Sequence, residues 1–425
     1  MFYFNLTEEN LFHQIFLYKT LILDSFYHKP LIFKKMKEFR QHHLIQLLQA
    51  YEEHKSPLDV AICHYFRSHK SLGSKDRADI SDRAYQLIRW LPLIDFLAGD
   101  PSWEKRIELL NSFNPLKYVE DCNIPIHIRL TCPLILYQLL LKEFGEAKSK
   151  ELCLVNNQPA PTTIRVNISK ISREELFDKW KDLYDISLTK HSEWGITFHK
   201  KIHFFSLPEF KEGFFEIQDE GSQLLSKLME VEPQNQVLDY CSGSGGKTLA
   251  FAPRMQGKGQ IYLHDIRQHA LLEAKKRLKR AGIQNAQIIS AEAPHLKKLK
   301  KQMDWVLVDA PCSGTGTLRR NPDMKENFSD ELLQRLVKEQ RVIFEKALSF
   351  LKPGGRIVYA TCSVLRAENH QQIEHFLQTY PLKLVREPFQ TLPAPGQMDG
   401  FFAAVLTKGL RAGSSKGACV AFKGQ

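Results

Sequence analysis

At 425 residues, with 43% hydrophobic and 25% charged side chains, the chain has the composition of a globular protein and the length for about three domains. Its 59 basic residues exceed its 48 acidic ones, for a net charge of +11. This points to a polyanionic partner, nucleic acid first, and no run of about 18 uncharged apolar residues offers a membrane span. Eight scattered cysteines without a CxxC pair, and 16 histidines, form neither a metal-ligand spacing nor a disulfide framework.

The N-terminal run MFYFNLTEENLFHQIFLYKTLILD is apolar, but Glu8 and Glu9 stand where a secretory leader is basic, and a small-residue cleavage site is missing. A cytoplasmic protein is expected. Residues 1–35 match no later pattern and Met36 opens a helix-like run, so translation is expected to start at Met36, and 1–36 is set apart as an N-terminal extension. From 37 to 150 apolar residues recur at spacings of three and four in HLIQLLQAYEE, LDVAICHYF, ADISDRAYQLIRWLPLIDFL and PLILYQLLLKEF, which predicts an all-α domain. NNQPAP, beginning at Asn156, is a turn-rich break. Beyond it TTIRVNI, GITFHK and IHFFSL, with a helix near Arg173 to Leu183, predict a small α/β module within 151–225.

After Gln218 short apolar strands alternate with helices. VLDYC, QIYLHD, AQIIS, DWVLVDAP and RIVYATC read as strands, and helices are expected near 247–254, 268–281, 330–351 and 366–379. The prediction for 226–408 is a doubly wound parallel sheet, closed by a strand pair LKLV and FFAAVLTK, with a flexible tail at 409–425. The positive charge is local: residues 251–300 hold 11 basic and 3 acidic side chains, which makes the second and third β-α units a place for phosphate contacts. Within them AKKRLKR, from Ala274 to Arg280, reads as a solvated helix face. Phe401 and Phe402 read as sheet core, and His42 and His43 as surface residues.

VLDYC runs into SGSGGKT, so Gly243, Gly245 and Gly246 follow the first strand, where a tight turn brings backbone amides up to a ligand. The turn is not a phosphate-binding GxxxxGK[ST] loop, because Cys241 stands where that pattern needs glycine. Asp265 ends the second strand and can accept both hydroxyls of a ribose, so nicotinamide dinucleotide and S-adenosylmethionine both remain open. The fourth strand ends in DAPCSGTGTLRRNPD and the fifth in YATCS, which places Asp309, Cys312 and Cys362 at one edge of the sheet. Two thiols beside a cofactor turn suit methylation of a pyrimidine. Carbon-5 of the ring becomes nucleophilic only after something adds to carbon-6, and a thiolate is well fitted for that addition. A carboxyl group near ring nitrogen 3 assists as charge develops. A thiolate near neutral pH needs a helix N-terminus or a nearby cation, and Cys362, just ahead of the helix expected from Arg366, meets the first condition.

Taken in order, FEIQDEGSQLL, DYCSGSGGKT, IYLHD, DAPCSGTG with RRNPD, YATCS with AENHQQIEHFL, and MDGFFAAVL resemble the RNA cytosine-5 methyltransferases of the Sun/RsmB type. The similarity extends through TTIRVN and through LGSKDRADISDRAYQLIRW, which resembles the NusB-related helical domain of the bacterial members, so that residues 40 to 408 are covered. The resemblance implies a Rossmann-like methyltransferase domain, a NusB-like RNA-binding domain, S-adenosyl-L-methionine as cofactor and small-subunit 16S ribosomal RNA as partner, with neither membrane nor metal. It implies that Cys362 is the nucleophile, that Cys312 assists product release, and that Asp309 touches both cofactor and base. It places the methionine portion of the cofactor on Cys241, Ser242, Gly243, Ser244, Gly245, Gly246 and Lys247, and the ribose on Asp265.

Two departures stand out. The family usually reads CAAPGGK where this chain reads CSGSGGK, so Gly243 and Ser244 replace Ala and Pro and the turn gains freedom. Where the family places Asp near the adenine, ISAEAP offers Glu292. Arg319 and Arg320, after the fourth strand, are expected at RNA phosphates. Competing readings are a transfer RNA cytosine-5 methyltransferase, a non-catalytic ribosome-assembly factor that kept the fold, and, disfavoured for want of GxGxxG, a nicotinamide-dependent oxidoreductase.

Overall fold

The computed structural model describes residues 38–290 and 294–409. The expected N-terminal extension, all but the first residue of the tail, and Glu292 lie outside the described residues. The chain divides into two compact units, one of residues 1–159 with 318–328 and one of residues 160–317 with 329–425.

The first unit is helical: α1 (Glu38–His54), α2 (Leu58–Ser68), α3 (Ser74–Ala98), α4 (Trp103–Leu110) and α5 (Leu134–Asn156). Helix α1 buries Leu44, Leu47, Leu48 and Tyr51, the three- and four-residue spacing of an amphipathic helix, against Leu87, Ile88 and Ile94 of α3 in one apolar core. His43 belongs to that buried stripe, contrary to the surface position expected for it, because its Nδ1 meets the Tyr65 hydroxyl at 2.7 Å. Helix α3 stops at Gly99, whose φ of 63° is the left-handed cap that glycine adopts freely. Helix α5 is kinked at Gly145 and continues to Asn156.

Residues 318–328 are part of this helical unit although they follow the fourth-strand motif in sequence. Lys325 is buried there. Its Nζ donates to the Arg89 carbonyl at 2.9 Å, to Asn157 Oδ1 at 2.7 Å and to Thr131 Oγ1 at 3.3 Å. Arg89 in turn donates to the carbonyls of Arg319 at 2.9 Å and Gln158 at 3.1 Å, and Asp323 Oδ2 accepts the Leu58 amide at 3.1 Å. The two cations are thus stabilised by carbonyl and amide oxygens that are themselves satisfied by them.

The second unit begins with an antiparallel sheet ordered β2-β3-β1-β4, formed by β1 (Thr162–Val166), β2 (Ile186–Leu188), β3 (Gly195–Phe198) and β4 (Phe215–Ile217). Helix α6 (Arg173–Trp180) carries a capping box between Ser172 and Glu175 and buries Leu176 and Trp180 on Ile164, Ile196, Phe198 and Phe215.

Helix α7 (Glu220–Lys227) leads into the main sheet. This holds β5 (Gln236–Asp239), β6 (Gln260–Asp265), β7 (Ala286–Ser290), β8 (Met303–Asp309), β9 (Leu351–Thr361), β10 (Leu382–Leu384), β11 (Phe389–Thr391) and β12 (Phe401–Lys408). Its order is β10-β12-β9-β8-β5-β6-β7, with β11 also paired to β12. The strands from β9 to β7 are mutually parallel, whereas β12 runs antiparallel to β9. Helices α8 (Gly246–Phe251), α9 (Gln268–Ala281), α10 (Asp330–Leu348) and α11 (His370–Thr379) connect them.

Both faces of this sheet are buried. On one face lie Val237, Leu307, Val358, Ala403 and Val405; on the other lie Leu238, Val306, Tyr359, Phe402 and Leu406. That is why its strands read as unbroken apolar runs instead of alternating ones. Phe401 and Phe402 are core residues as expected.

Burial, with Arg89 beside it, pulls Lys325 from the usual 10.5 down to about 7; Cys132, Cys153 and Glu326 act in the opposite sense. Its folded pKa lies below its unfolded one, so between these values the unfolded chain binds the extra proton and stability rises with pH, while below about 7 this group contributes no slope. Urea unfolding between about pH 7 and pH 9 is therefore expected to show the wild type gaining stability relative to Lys325→Met as pH rises. Parallel pH profiles for the two proteins would assign the titration elsewhere.

Candidate active site

The carboxyl ends of the parallel strands gather the polar residues that the apolar strands exclude. Asp239 ends β5, Asp265 ends β6 and Asp309 ends β8, and Cys362 follows β9 directly, with Asp309 opposite Ala360 in register. The sheet changes direction of winding between β5 and β8, the usual place for a ligand crevice in such folds.

The glycine turn leaves β5 here. Gly243 and Gly245 have φ of 54° and 78°, which L side chains rarely adopt. The Gly245 amide donates to the Ser242 carbonyl at 2.8 Å, and the Gly243 amide to Asp265 Oδ2 at 2.8 Å. Asp265 also receives Arg267 Nε at 3.0 Å and Nη2 at 3.1 Å. Burial works against its charge, but these hydrogen bonds outweigh that and hold its carboxyl below the ordinary value. A ribose would thus share Asp265 with Arg267, whose side chain is 59% exposed.

Thr248 Oγ1 donates to Asp239 Oδ2 at 2.7 Å, while Asp239 Oδ1 and Ser242 Oγ are buried without a hydrogen-bond partner. Burial pushes Asp239 up to about 7 against the Thr248 bond. Unsatisfied buried polar atoms at a strand end and in a glycine turn are what a site for a polar ligand leaves behind, so the residues fit the cofactor expected there.

Across the crevice the two thiols meet, with Cys312 Sγ 3.4 Å from Cys362 Sγ. Their loops are joined behind the sulfurs. Glu368, fully buried, accepts the Ser313 amide at 2.8 Å, the Ser313 hydroxyl at 2.5 Å and Gln340 Nε2 at 2.9 Å. Asn369 accepts Thr361 Oγ1 at 2.6 Å and donates to the Ser363 carbonyl at 2.9 Å. The Gly316 amide donates to the Cys362 carbonyl at 2.9 Å, and a Cβ at Gly316 would lie 2.2 Å from the Gly400 carbonyl oxygen. The glycine of CSGTG and that of MDGFF are therefore needed for close approach of backbone to backbone.

Lys247 Nζ donates to Asp309 Oδ2 at 2.5 Å. Burial opposes the ammonium, yet Asp309 keeps its pKa above the ordinary lysine value. The hydrogen bond from Cys312 is the main cause that lowers the Cys362 thiol; burial and Asp309 oppose it, and Lys247 and Thr317 help. Cys312 is driven well above the usual thiol value by the same hydrogen bond, by burial and by the Cys362 charge. Of the two, Cys362 is the more acidic sulfur and Cys312 the less acidic.

The sequence-predicted residues Cys241 through Lys247, Asp265, Asp309, Cys312 and Cys362 thus fall at one edge of one sheet. Three expectations need correction. No α-helix starts at Arg366: residues Arg366–Glu368 form a single 3-10 turn and α11 begins at His370, so Cys362 owes its acidity to Cys312 and Lys247. Arg319 is 1% exposed and belongs to the helical unit, which closes its side chain off from a phosphate; Arg320 is half-buried in the same segment. AKKRLKR is not a purely solvated face, because Arg277 and Arg280 turn inward to Glu216. Glu368 and Asn369 were not singled out by the sequence, although both stand in the AENHQQ motif.

Residues 226–407 match the family model described as 16S rRNA methyltransferase RsmB/F, and residues 132–204 that of its ferredoxin-like domain. Ribosomal RNA small subunit methyltransferase B of Vibrio vulnificus is 36% identical over 60% of this chain and 61% of its own. The chain spans about three fifths of the length of the curated relatives it matches. A methyltransferase homolog protein from Pyrococcus horikoshii superposes with a TM-score of 0.60 at 26% identity, covering 66% of this chain and 97% of its own. The crystal structure of PH0851 shares the fold with a TM-score of 0.74 at 22% identity, covering 88% and 99%.

Alkylation by iodoacetamide, read by mass spectrometry as a function of pH, is expected to modify Cys362 at lower pH than Cys312. In Cys312→Ala the thiolate loses its hydrogen-bond donor, so the Cys362 profile moves to higher pH. An unmoved profile would remove Cys312 as the cause.

Proposed function

The chain belongs, through residues 226–407, to the 16S rRNA methyltransferase RsmB/F family, and on that premise we propose that it is an S-adenosylmethionine-dependent RNA cytosine-5 methyltransferase acting on small-subunit ribosomal RNA. One observation carries the reading: two cysteine sulfurs 3.4 Å apart, beside a lysine-carboxylate pair and across a crevice from a glycine turn. The cofactor, when bound, supplies an electrophilic methyl group on its sulfonium sulfur. The turn from Cys241 to Lys247 holds its methionine portion, Asp265 its ribose and Glu292 its adenine.

In this reading Cys362 Sγ adds to carbon-6 of the target cytosine, and carbon-5 thereby becomes the nucleophile that takes the methyl group. Asp309, held by Lys247, faces the ring edge at nitrogen 3 and balances the charge that develops there. A base then removes the carbon-5 proton, the double bond between carbons 5 and 6 re-forms, and Cys362 leaves as thiolate. Cys312 is suited to assist this second half. While Cys362 is a thiolate, its charge and hydrogen bond keep the Cys312 proton in place. Once Cys362 is a neutral thioether both causes vanish and Cys312 becomes the more acidic thiol. The helical domain, expected to be NusB-like, binds the RNA through a surface patch, since residues 1–200 carry 27 basic and 25 acidic side chains.

Incubating small ribosomal subunits or 16S transcripts with labelled S-adenosylmethionine, followed by bisulfite mapping, is expected to place label on carbon-5 of cytosine. Cys362→Ala should abolish both label and covalent protein-RNA adduct, whereas Cys312→Ala should accumulate the adduct. An adduct formed by Cys362→Ala refutes the assignment of roles. Label found in transfer RNA alone moves the substrate, and no label with any RNA leaves a binding protein.

A further inference from the structure

The glycine turn is gripped from outside by residues remote from it in sequence. Arg277 of α9 donates through Nη1 to the Ser244 carbonyl at 3.0 Å and to Ser244 Oγ at 2.6 Å. The other nitrogens of the same guanidinium, Nε and Nη2, donate to Glu216 Oε2 at 3.2 and 3.0 Å. Glu216 lies on β4 of the four-stranded sheet, is 4% exposed, and receives Arg280 on its second oxygen at 2.5 Å. Arg280 is in turn stacked 3.9 Å over the Phe210 ring. From β1 of the same sheet, buried Arg165 donates to the Gly246 carbonyl at 3.0 Å.

These contacts answer a weakness in the turn. Three of the four residues from Gly243 to Gly246 are glycines, two with positive φ, so in isolation the segment samples many backbone states and only one presents its amides to a ligand. Ser244 is the one residue with a side chain to hold, and it is held at both its oxygens. A guanidinium fixed by a buried carboxylate loses little freedom on making two more bonds, which is the geometry in which charged hydrogen bonds are strong.

We propose that Arg277 is a positioning residue for S-adenosylmethionine: anchored on Glu216 of the small α/β module, it locks Ser244 and with it the cofactor turn. The proposal rests on the turn being the cofactor site, and it gives the small module a part in cofactor affinity without touching the cofactor.

Isothermal titration of the full chain with S-adenosylmethionine tests it. The wild type binds; Arg277→Met, which keeps the aliphatic stem, binds about tenfold more weakly; and Ser244→Ala, which leaves the Arg277–Glu216 pair intact, binds about threefold more weakly. Because both act through one contact, the double variant binds no worse than Arg277→Met alone. At saturating cofactor kcat of Arg277→Met stays within about twofold of the wild type, the loss appearing in KM for the cofactor. Thermal unfolding checks that each variant is folded; Ser244→Ala carries the test should Arg277→Met not fold. Affinities unchanged in the variants, or losses that add, overturn the clamp while the cofactor assignment stands. A wild type that does not bind S-adenosylmethionine overturns the cofactor assignment and the clamp with it.

Discussion

Everything at the sheet edge depends on how closely two loops, fifty residues apart in sequence, are allowed to approach each other. The Cys312 and Cys362 sulfurs are 3.4 Å apart because the backbone behind them is joined without an intervening side chain at Gly316 and Gly400. A buried carboxylate, Glu368, then spans from one loop to the other. Burying a carboxylate is costly unless its oxygens are occupied, and three donors occupy them here. The same bonds that satisfy Glu368 fix the thiols, so the stability of the loop pair and the geometry of the sulfurs share one origin.

The second theme is the management of negative charge. Asp239, Asp265 and Asp309 converge on one crevice, and each is answered differently: Asp239 by burial and a threonine hydroxyl, Asp265 by an arginine and a backbone amide, Asp309 by Lys247. Ionisation of Cys362 would add a further negative charge, which Asp309 disfavours and which Cys312 and Lys247 favour. Lys247 therefore acts on both the Asp309 carboxylate and the Cys362 thiol, at the end of a turn that its motif would assign to the cofactor alone.

Much of this was legible in the sequence, because short apolar runs that end in Asp or Cys and alternate with helical segments read as buried parallel strands with their chemistry at one edge. What stayed hidden depends on long-range contact. Arg277 and Arg280 look like members of a solvated basic run because their partner, Glu216, is 61 residues or more away in sequence. His43 looks exposed beside His42 because nothing local announces the Tyr65 hydroxyl. Arg319 invites a phosphate by its proximity to the catalytic motif, but the chain leaves the sheet at that point and the residue is buried in another unit. Local pattern reports which face of an element is apolar; it does not report which distant carboxylate or hydroxyl an arginine or histidine has found.

The placement of residues 318–328 in the helical unit has a topological consequence. The chain passes between the two units three times, after residues 159, 317 and 328, so they are not beads on a single string. A cut at the first passage severs residues up to 159 but leaves eleven residues of the helical unit, 318–328, attached to the other unit at both ends. A fragment prepared by deleting the first 159 residues would carry Leu318, Arg319 and Lys325, buried in the whole chain, with their surroundings taken away. Inheritance is constrained likewise: the helical domain cannot be exchanged for another unless the loop following the fourth strand is exchanged with it.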